Sequence, residues 1–368
     1  MSECRFPPDR AFALVDREAL LFNYRFLLEK ARAGNRRAQL MAVVKANAYG
    51  HGIELVLPTL LSAGCTRFAV ATLDEGAAAR ALSAEAEILV LGYTPPSRVA
   101  ELCQERLTQT VFSAEYARAL IKAAKKAGCC PTVHLKIDCG MHRLGFAPSA
   151  VDTLLSVADA KNLRVTGLFT HFPASNTDTA ATRRALDAFL CCRAALSREG
   201  LSLFSHAANS GAVLTLPEGA LDAVRPGLSL YGISPVSGEA GLLPVLSLHA
   251  PVVQLRSLRS GTPVGYSGAF VTERRARIGV LPIGYADGFS RRMSALPLSV
   301  ATRKGARTVR VSGLVCMDQT MVDLTGARAR VGDTVTLFEN AAAAASGAGM
   351  TPYELLSGLS ARIKRKFK

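Results

Sequence analysis

The stretch Val43-Val44-Lys45-Ala46-Asn47-Ala48-Tyr49-Gly50-His51-Gly52 joins an apolar run to a nucleophile and then to a glycine-containing turn. The run 40–44 reads as a buried strand, and the segment after it as a strand-to-helix loop. A lysine where an apolar strand opens into a site is partly desolvated. Desolvation disfavours the ammonium form, lowers the pKa and makes the amine nucleophilic. That chemistry suits a Schiff base with an aldehyde cofactor. The same placement suits a lysine that snorkels from a strand end to water. The stretch alone leaves both readings open.

The elements that must position Lys45 alternate along the chain. Strand-like runs fall at 38–45, 67–71, 87–91, 108–112, 132–138, 164–171, 201–207 and 221–225, with helical segments such as 51–64, 74–83, 114–128 and 178–199 between them. Before them, 17–33 is helix-like, with Asp16 as its N-cap. Alternating strands and helices predict a parallel sheet, and eight such strands predict a (β/α)8 TIM-type barrel over 1–240. From about 240 the strand-like runs 245–256, 262–271, 276–283, 297–303, 307–315 and 333–338 follow one another without long helices, which predicts a mostly β domain over 241–368. The Ala/Gly/Ser-rich stretch 341–349 reads as a surface loop, and Thr351-Pro352 as the start of a last helix reaching about 361.

Barrel enzymes carry their chemistry at the C-terminal ends of the strands. Lys45 ends the first predicted strand, Arg143 lies in the glycine-containing loop after the fifth, and His171 ends the sixth. Asn209 and Ser210 follow the seventh, and Arg225-Pro226-Gly227 the eighth. Each alone is an ordinary loop polar; together they share one rim. Loops after the last two strands often wrap phosphate, and Ser210 and Gly227 are placed for that, with Tyr49 able to reach in from the first loop. Lys136 lies inside the fifth run, where a lysine pointing into a barrel needs a partner such as Asp138.

Composition narrows the classes. The chain has 368 residues, is 49% hydrophobic and has no apolar run of membrane-span length, so a globular, non-membrane protein is expected. The stretch 1–17 has no apolar core of a leader segment. Nine irregularly spaced cysteines, including the pairs Cys129-Cys130 and Cys191-Cys192 in helix-like segments, fit reduced thiols in a cytoplasm. The net charge of +15 is scattered apart from the tail RIKRKFK, which reads as a solvated end. No nucleic-acid-binding motif accompanies it.

The string 42–52 resembles the pyridoxal 5'-phosphate (PLP) lysine motif of alanine racemases. The likeness runs over about 11–367 and includes three blocks in the second half: Pro263-Val264-Gly265-Tyr266-Ser267-Gly268, Val280 through Gly288, and Val315 through Leu324. The resemblance implies that Lys45 carries PLP and that Tyr49, Asn209, Ser210 and Gly227 bind its phosphate. It implies that Arg225 faces the pyridine nitrogen and that His206 braces it, while His171 stacks on the ring. Arginine cannot accept a proton, so that nitrogen would stay unprotonated and the cofactor would be a weaker electron sink. Reprotonation at Cα is then favoured over transamination.

By the same resemblance Arg143 binds the substrate carboxylate or the cofactor's phenolic oxygen, and Lys136, carbamylated in several members, supports it. Lys45 and Tyr266 are the two acid/base groups, one for each face of the substrate. Tyr266, Met317 and Asp318 reach into the partner's site in a head-to-tail homodimer, and Tyr285 lies in a supporting block. The implied activity is interconversion of L- and D-alanine, supplying D-alanine for cell-wall peptidoglycan.

Departures are specific. His142 stands where a glycine precedes the loop arginine, Cys139 where a threonine is usual, Ser267 where glycine is common, and Ala361 where some members have a tyrosine. His142 puts the choice among small amino acids in question. The rivals are a racemase of the same fold acting on serine or another amino acid, a non-catalytic PLP-binding barrel, and a basic nucleic-acid-binding protein. Non-catalytic barrels usually lack the β domain, and charge alone supports the last.

Overall fold

The computed structural model describes residues 10–238, 241–303 and 305–368. Residues 1–9 of the stretch searched for a leader, and residue 240 at the expected domain boundary, lie outside the described residues. The chain forms two compact units. One comprises Glu18–Ala48 and Val56–Leu243; the other takes in Tyr49–Leu55, Pro244–Lys368 and the described part of Met1–Arg17. The chain therefore does not divide at a single point.

The first strand, β1 (Phe12–Val15), belongs to the second unit. The barrel unit opens with the helix Arg17–Gly34 and closes eight parallel strands: β2 (Gln39–Val43), β3 (Arg67–Val70), β4 (Glu87–Val90), β5 (Thr108–Val111), β6 (Thr132–Lys136), β7 (Arg164–Phe169), β8 (Phe204–Asn209) and β9 (Ala223–Arg225). Each strand falls in the predicted order. Their near-continuous burial is what a parallel sheet covered on both faces requires: Leu40 through Val43 are all buried. The crossover helices have clear ends. Ser113 accepts from Tyr116 N–H to start Ala114–Ala127, and Gly128, at φ +66°, stops it. Asp178 caps Thr179–Arg198 in the same way. Cys191 and Cys192 lie in that helix, whereas Cys129 and Cys130 lie beyond Gly128, outside any helix.

The second unit is a nine-stranded, mostly antiparallel sheet plus a small hairpin. Its further strands are β10 (Leu246–Pro251), β11 (Gln254–Leu258), β12 (Pro263–Val264), β13 (Phe270–Val271), β14 (Ala276–Leu281), β15 (Leu298–Thr302), β16 (Gly305–Val311), β17 (Thr320–Asp323), β18 (Thr334–Phe338) and β19 (Lys364–Phe367). The order is β11-β14-β17-β16-β15-β18-β10-β1-β19, and β12 pairs β13. Val264 and Phe270 anchor that hairpin in a cluster with Ala276, Ile278, Leu258 and Met321.

Several details differ from the expectation. The run 245–256 is two strands, and 262–271 is a hairpin around a short turn, Tyr266–Gly268. The Ala-rich stretch is the helix Ala341–Gly347, because Asn340 caps it and alanine is the best helix former. The last helix is only Pro352–Ser357, started by a Thr351/Glu354 capping box. The basic tail is not a solvated end. β19 pairs in parallel with β1, and Arg365 donates to the carbonyls of Gly50 and Leu359 at 3.0 and 2.9 Å.

Gly50 shows how closely the segment Tyr49–Leu55 is held within this unit. Its φ is +77°, and an added Cβ would lie 2.1 Å from the carbonyl oxygen of Leu356. The expected effect of Gly50→Ala is a loss of about 2 kcal/mol or more of unfolding free energy, read by urea denaturation. An unchanged midpoint would contradict this packing.

Candidate active site

Lys45 does not end a strand: β2 stops at Val43, and Lys45 starts a turn whose next four residues, Ala46, Asn47, Ala48 and Tyr49, all have φ near +52°. A left-handed run of residues with side chains is costly, about 1–2 kcal/mol each. Within the barrel unit, Glu75 holds the run's start. Its carboxylate accepts from Ala46 N–H at 2.8 Å and Ala71 N–H at 2.7 Å, tying the loop after β2 to the loop after β3. Ala48 N–H also donates to Val44 O at 2.9 Å. Burial lowers the Lys45 pKa, Arg143 lowers it further, and Glu75 partly opposes them. Lys45 is therefore a partly desolvated amine on a strained loop, a combination that marks functional positions.

Lys136, the last residue of β6, is 4% exposed, and its Nζ has no hydrogen bond or ion pair among the described residues, only the face of the Phe169 ring at 6.0 Å. Burial, with Arg143 and Arg225 adding to it, pushes its pKa down to about 8, while Asp138 opposes. Asp138 does not form a salt bridge with it. Instead the Asp138 carboxylate accepts from the backbone N–H groups of Gly140, Met141 and His142 at 2.9–3.0 Å, folding the loop that carries the exposed Arg143. His171 is pushed down to about 3, first by burial and then by Arg225, Arg143, Lys136 and Lys45. A neutral imidazole thus sits among four cations. The two nearby carboxylates are both spent on backbone N–H groups.

Arg225 ends β9 at 4% exposure. Its guanidinium donates to Thr170 O at 2.6 Å, Ala207 O at 3.1 Å and His206 Nδ1 at 2.8 Å. Arginine only donates, so His206 Nδ1 is the acceptor and neutral His206 carries its proton on Nε2. That nitrogen is 2.9 Å from His134 Nδ1, so His134 carries its proton on Nε2. Burial first, then nearby arginines, keeps both imidazoles neutral.

Asn209 and Ser210 do not act alike. The Asn209 amide is consumed: it caps the helix Ser210–Thr215, accepts from Ser175 Oγ at 2.6 Å and donates to Phe172 O at 3.0 Å. Ser210 Oγ accepts from the N–H groups of Gly227 and Ser229 at 3.0 and 3.2 Å, drawing the loops after β8 and β9 together. The hydroxyl of Ser229 is itself buried with no partner among the described residues. Hydroxyls and backbone N–H groups gathered here have the chemistry of an anion cradle.

In the second unit, Tyr49 is buried, with its ring 6.1 Å from that of Tyr353. Tyr266 is 65% exposed at the tip of the β12–β13 hairpin, Met317 is 54% exposed and Tyr285 42%. Gly284 lets two turns interlock: Tyr285 N–H donates to Cys316 O and Ala286 N–H to Met317 O, both at 3.0 Å, where a Cβ added at Gly284 would lie 2.2 Å from Cys316 O. Asp318 is paired with Arg362 at 2.6 Å, and Arg362 also approaches the buried Asp287 at 3.2 Å.

The structure thus gathers Lys45, Lys136, Arg143, His171 and Arg225 electrostatically, and Ser210 and Gly227 by a hydrogen bond, with Asn209 bound elsewhere as the cap of the helix that starts at Ser210. Glu75, Thr170, Ser229 and His134 were not singled out from the sequence. His134 alone had a signal, since it lies two residues from Lys136 on the same strand face.

Two departures fall where the backbone favours glycine. His142 and Ser267 both take positive φ, +52° and +57°. Ser267→Gly is expected to raise stability by about 1 kcal/mol, read by thermal or urea unfolding. Lys136 gives a pH signature. Its native pKa of about 8 lies below the ordinary lysine value of 10.5, so the unfolded chain binds more protons between these values. The burial penalty is fully present below pH 8 and disappears as pH rises to 10.5, a gain of up to about 3 kcal/mol. Lys136→Met should flatten this rise in the unfolding midpoint; an identical pH profile would contradict the assignment.

With the fold and the rim described, comparison with known proteins bears on both units. The profile of the alanine racemase N-terminal domain matches residues 15–235, and that of the alanine racemase C-terminal domain matches 245–367. A curated alanine racemase of Carboxydothermus hydrogenoformans is 38% identical over 362 residues, covering 95% of this chain and 98% of that protein. One from Methanococcus maripaludis is 36% identical over 370 residues, covering 96% and 97%. A solved alanine racemase of Clostridium difficile 630 superposes with a TM-score of 0.90 at 30% identity, covering 98% of this chain and 96% of that one. The closed eight-stranded barrel and the mostly β unit are the two domains those matches describe, and the chain belongs to the alanine racemase family.

Proposed function

We propose that this protein interconverts L- and D-alanine with PLP, as a homodimer with shared sites. The observation that carries the reading is the excess positive charge on the barrel rim. Lys45, Lys136, Arg143 and Arg225 surround a neutral His171, while Glu75 and Asp138 are committed to backbone N–H groups. Buried charge needs a partner, and a phosphate ester with an amino-acid carboxylate would supply it.

The residues present fit that cofactor. Ser229 Oγ is orphaned in the core beside Ser210 Oγ and the N–H groups of Gly227 and Ser229. Ser210, Gly227 and Tyr49 would hold the phosphate, with Asn209 bracing the loop. His171 would lie against the ring, and Lys45 would carry the aldehyde carbon. Arg225 would face the ring nitrogen as a donor, a role its two carbonyl acceptors and the His206 lone pair already fix. The cofactor, when bound, withdraws electrons from the substrate's Cα and acidifies its proton.

The chain's own residues do the rest. Arg143, supported by Lys136, orients the substrate carboxylate. Tyr266 of a partner subunit takes the Cα proton of the L-isomer, and the Lys45 amine delivers a proton to the opposite face; the reverse direction exchanges the roles. The exposure of Tyr266, Met317 and Tyr285 is consistent with a surface completed by a partner. In that reading Met317 lines the substrate space, and the Asp318–Arg362 pair holds its loop. The eight described cysteines are unpaired, which accords with a reducing cytoplasm. Supply of D-alanine to peptidoglycan is the role this activity would serve.

Mixing two inactive variants tests the shared site. Lys45→Ala and Tyr266→Phe homodimers should each lose the great bulk of activity, and Lys45→Ala should also lose the Schiff-base absorbance. Subunit exchange should restore up to about a quarter of wild-type racemisation, because each hybrid dimer rebuilds one intact site. No restoration from demonstrably exchanged subunits would place both bases in one chain. Racemisation by Lys45→Ala itself would overturn the assignment. L-serine, run beside L-alanine on the wild type, decides the substrate; a preference for serine would reassign it.

A further inference from the structure

The barrel has a second polar opening at its other end. A cavity of about 660 Å³ is lined by Glu87, Thr108, Thr132 and Arg164, which are the first residues of β4, β5, β6 and β7. It therefore lies at the N-terminal face of the barrel, opposite the rim that carries Lys45. His134 also lines it at 5% exposure. Its Nδ1 is taken by His206, and its Nε2, which carries the proton, has no hydrogen-bond partner among the described residues. An unpartnered N–H donor on a largely buried side chain thus borders this cavity.

The charges around it are unequal. Arg80 is consumed by backbone: it donates to the carbonyls of Glu105, Ser83, Ala84 and Arg106 at 2.8–3.0 Å. Glu87 is ion-paired with Arg67. Arg106 spends one nitrogen on Ala84 O, and Arg164 two on Thr132 Oγ1, so both keep donors in hand. Leu102 and Leu107 add apolar lining. Guanidinium donors on Arg106 and Arg164, one imidazole N–H and an apolar wall outweigh the lone Glu85 carboxylate in the lining and suit a small organic anion.

We propose that this cavity binds a small organic carboxylate, and that the ligand's presence is felt at Arg225 through His134 and His206. The carboxylate accepts from His134 Nε2–H and from Arg106 and Arg164, with its hydrocarbon part against Leu102 and Leu107. Accepting that proton makes His134 Nδ1 a better acceptor for His206, and His206 Nδ1 a better acceptor for Arg225. The chain of bonds already exists at 2.9 and 2.8 Å. Binding stands without the racemase reading; the consequence at the cofactor rests on it.

The test uses the holoenzyme labelled with ¹⁵N-histidine and titrated with propionate, with the six histidines assigned by substitution. The His134 Nε2 resonance should shift and saturate. Arg106→Gln/Arg164→Gln, both exposed positions, should weaken that titration by about tenfold or more while racemisation without propionate is unchanged. Arg164→Gln alone serves if the double variant folds poorly. Propionate bound only at the catalytic rim would leave His134 silent in the wild type, or would shift it equally in the variant, and either result overturns the proposal. Full racemisation beside a silent His134 counts against the cavity alone, whereas a responsive His134 in a protein that racemises no amino acid counts against the function alone.

Discussion

The barrel rim is organised by uncompensated positive charge. Four cationic side chains converge on His171, and the acids that would normally neutralise them are turned toward backbone N–H groups. Most proteins pair such groups because an unpaired buried charge is costly. Here the cost is retained at one place and reflected in the depressed pKa values of Lys45, Lys136 and His171. An anionic cofactor and an anionic substrate would relieve it together, so the charges that disfavour one another would favour binding of both.

Direction matters as much as charge. Arg225 is fixed as a donor by two carbonyls and one imidazole lone pair, and this orders the protons through His206 to His134 across the barrel core. In the proposed reading, a guanidinium that only donates would hold the lone pair of the cofactor's ring nitrogen in a hydrogen bond without giving up its proton, so that nitrogen would stay unprotonated. That restraint would limit electron withdrawal and favour return of a proton to Cα. The left-handed turn after Lys45 has a comparable role. Glu75 spends its charge holding a conformation that an L-residue chain avoids, and the result is an amine whose placement is set by hydrogen bonds at the end of β2.

The eight barrel strands were legible because parallel strands are apolar throughout and recur between helices with ordinary caps. The rim residues were legible because barrel topology puts strand ends on one face. The strands β1 and β19 were not: each has four residues and gains its partners only from distant segments, as Phe12 does from Lys364 and His249. The helix Ala341–Gly347 was hidden by low complexity, although the alanines themselves favour it. Glu75 reads locally as an acid in a helix's first turn, and nothing nearby in sequence announces that it reaches Ala46. The positive φ at His142 and Ser267 explains afterwards why glycine is common there, which composition alone could not.

The central claim is that two bases, Lys45 and a tyrosine, work on opposite faces of one Cα. Isotope placement in heavy water addresses it most directly. L-alanine converted in D₂O should give D-alanine that carries deuterium at Cα from the first turnovers, while the recovered L-alanine stays protonated, because each face has its own proton donor. Tyr266→Phe should abolish this asymmetry along with most of the rate. Early appearance of deuterium in both isomers at equal rates, or unlabelled D-alanine, would mean a single base serving both faces and would contradict the account.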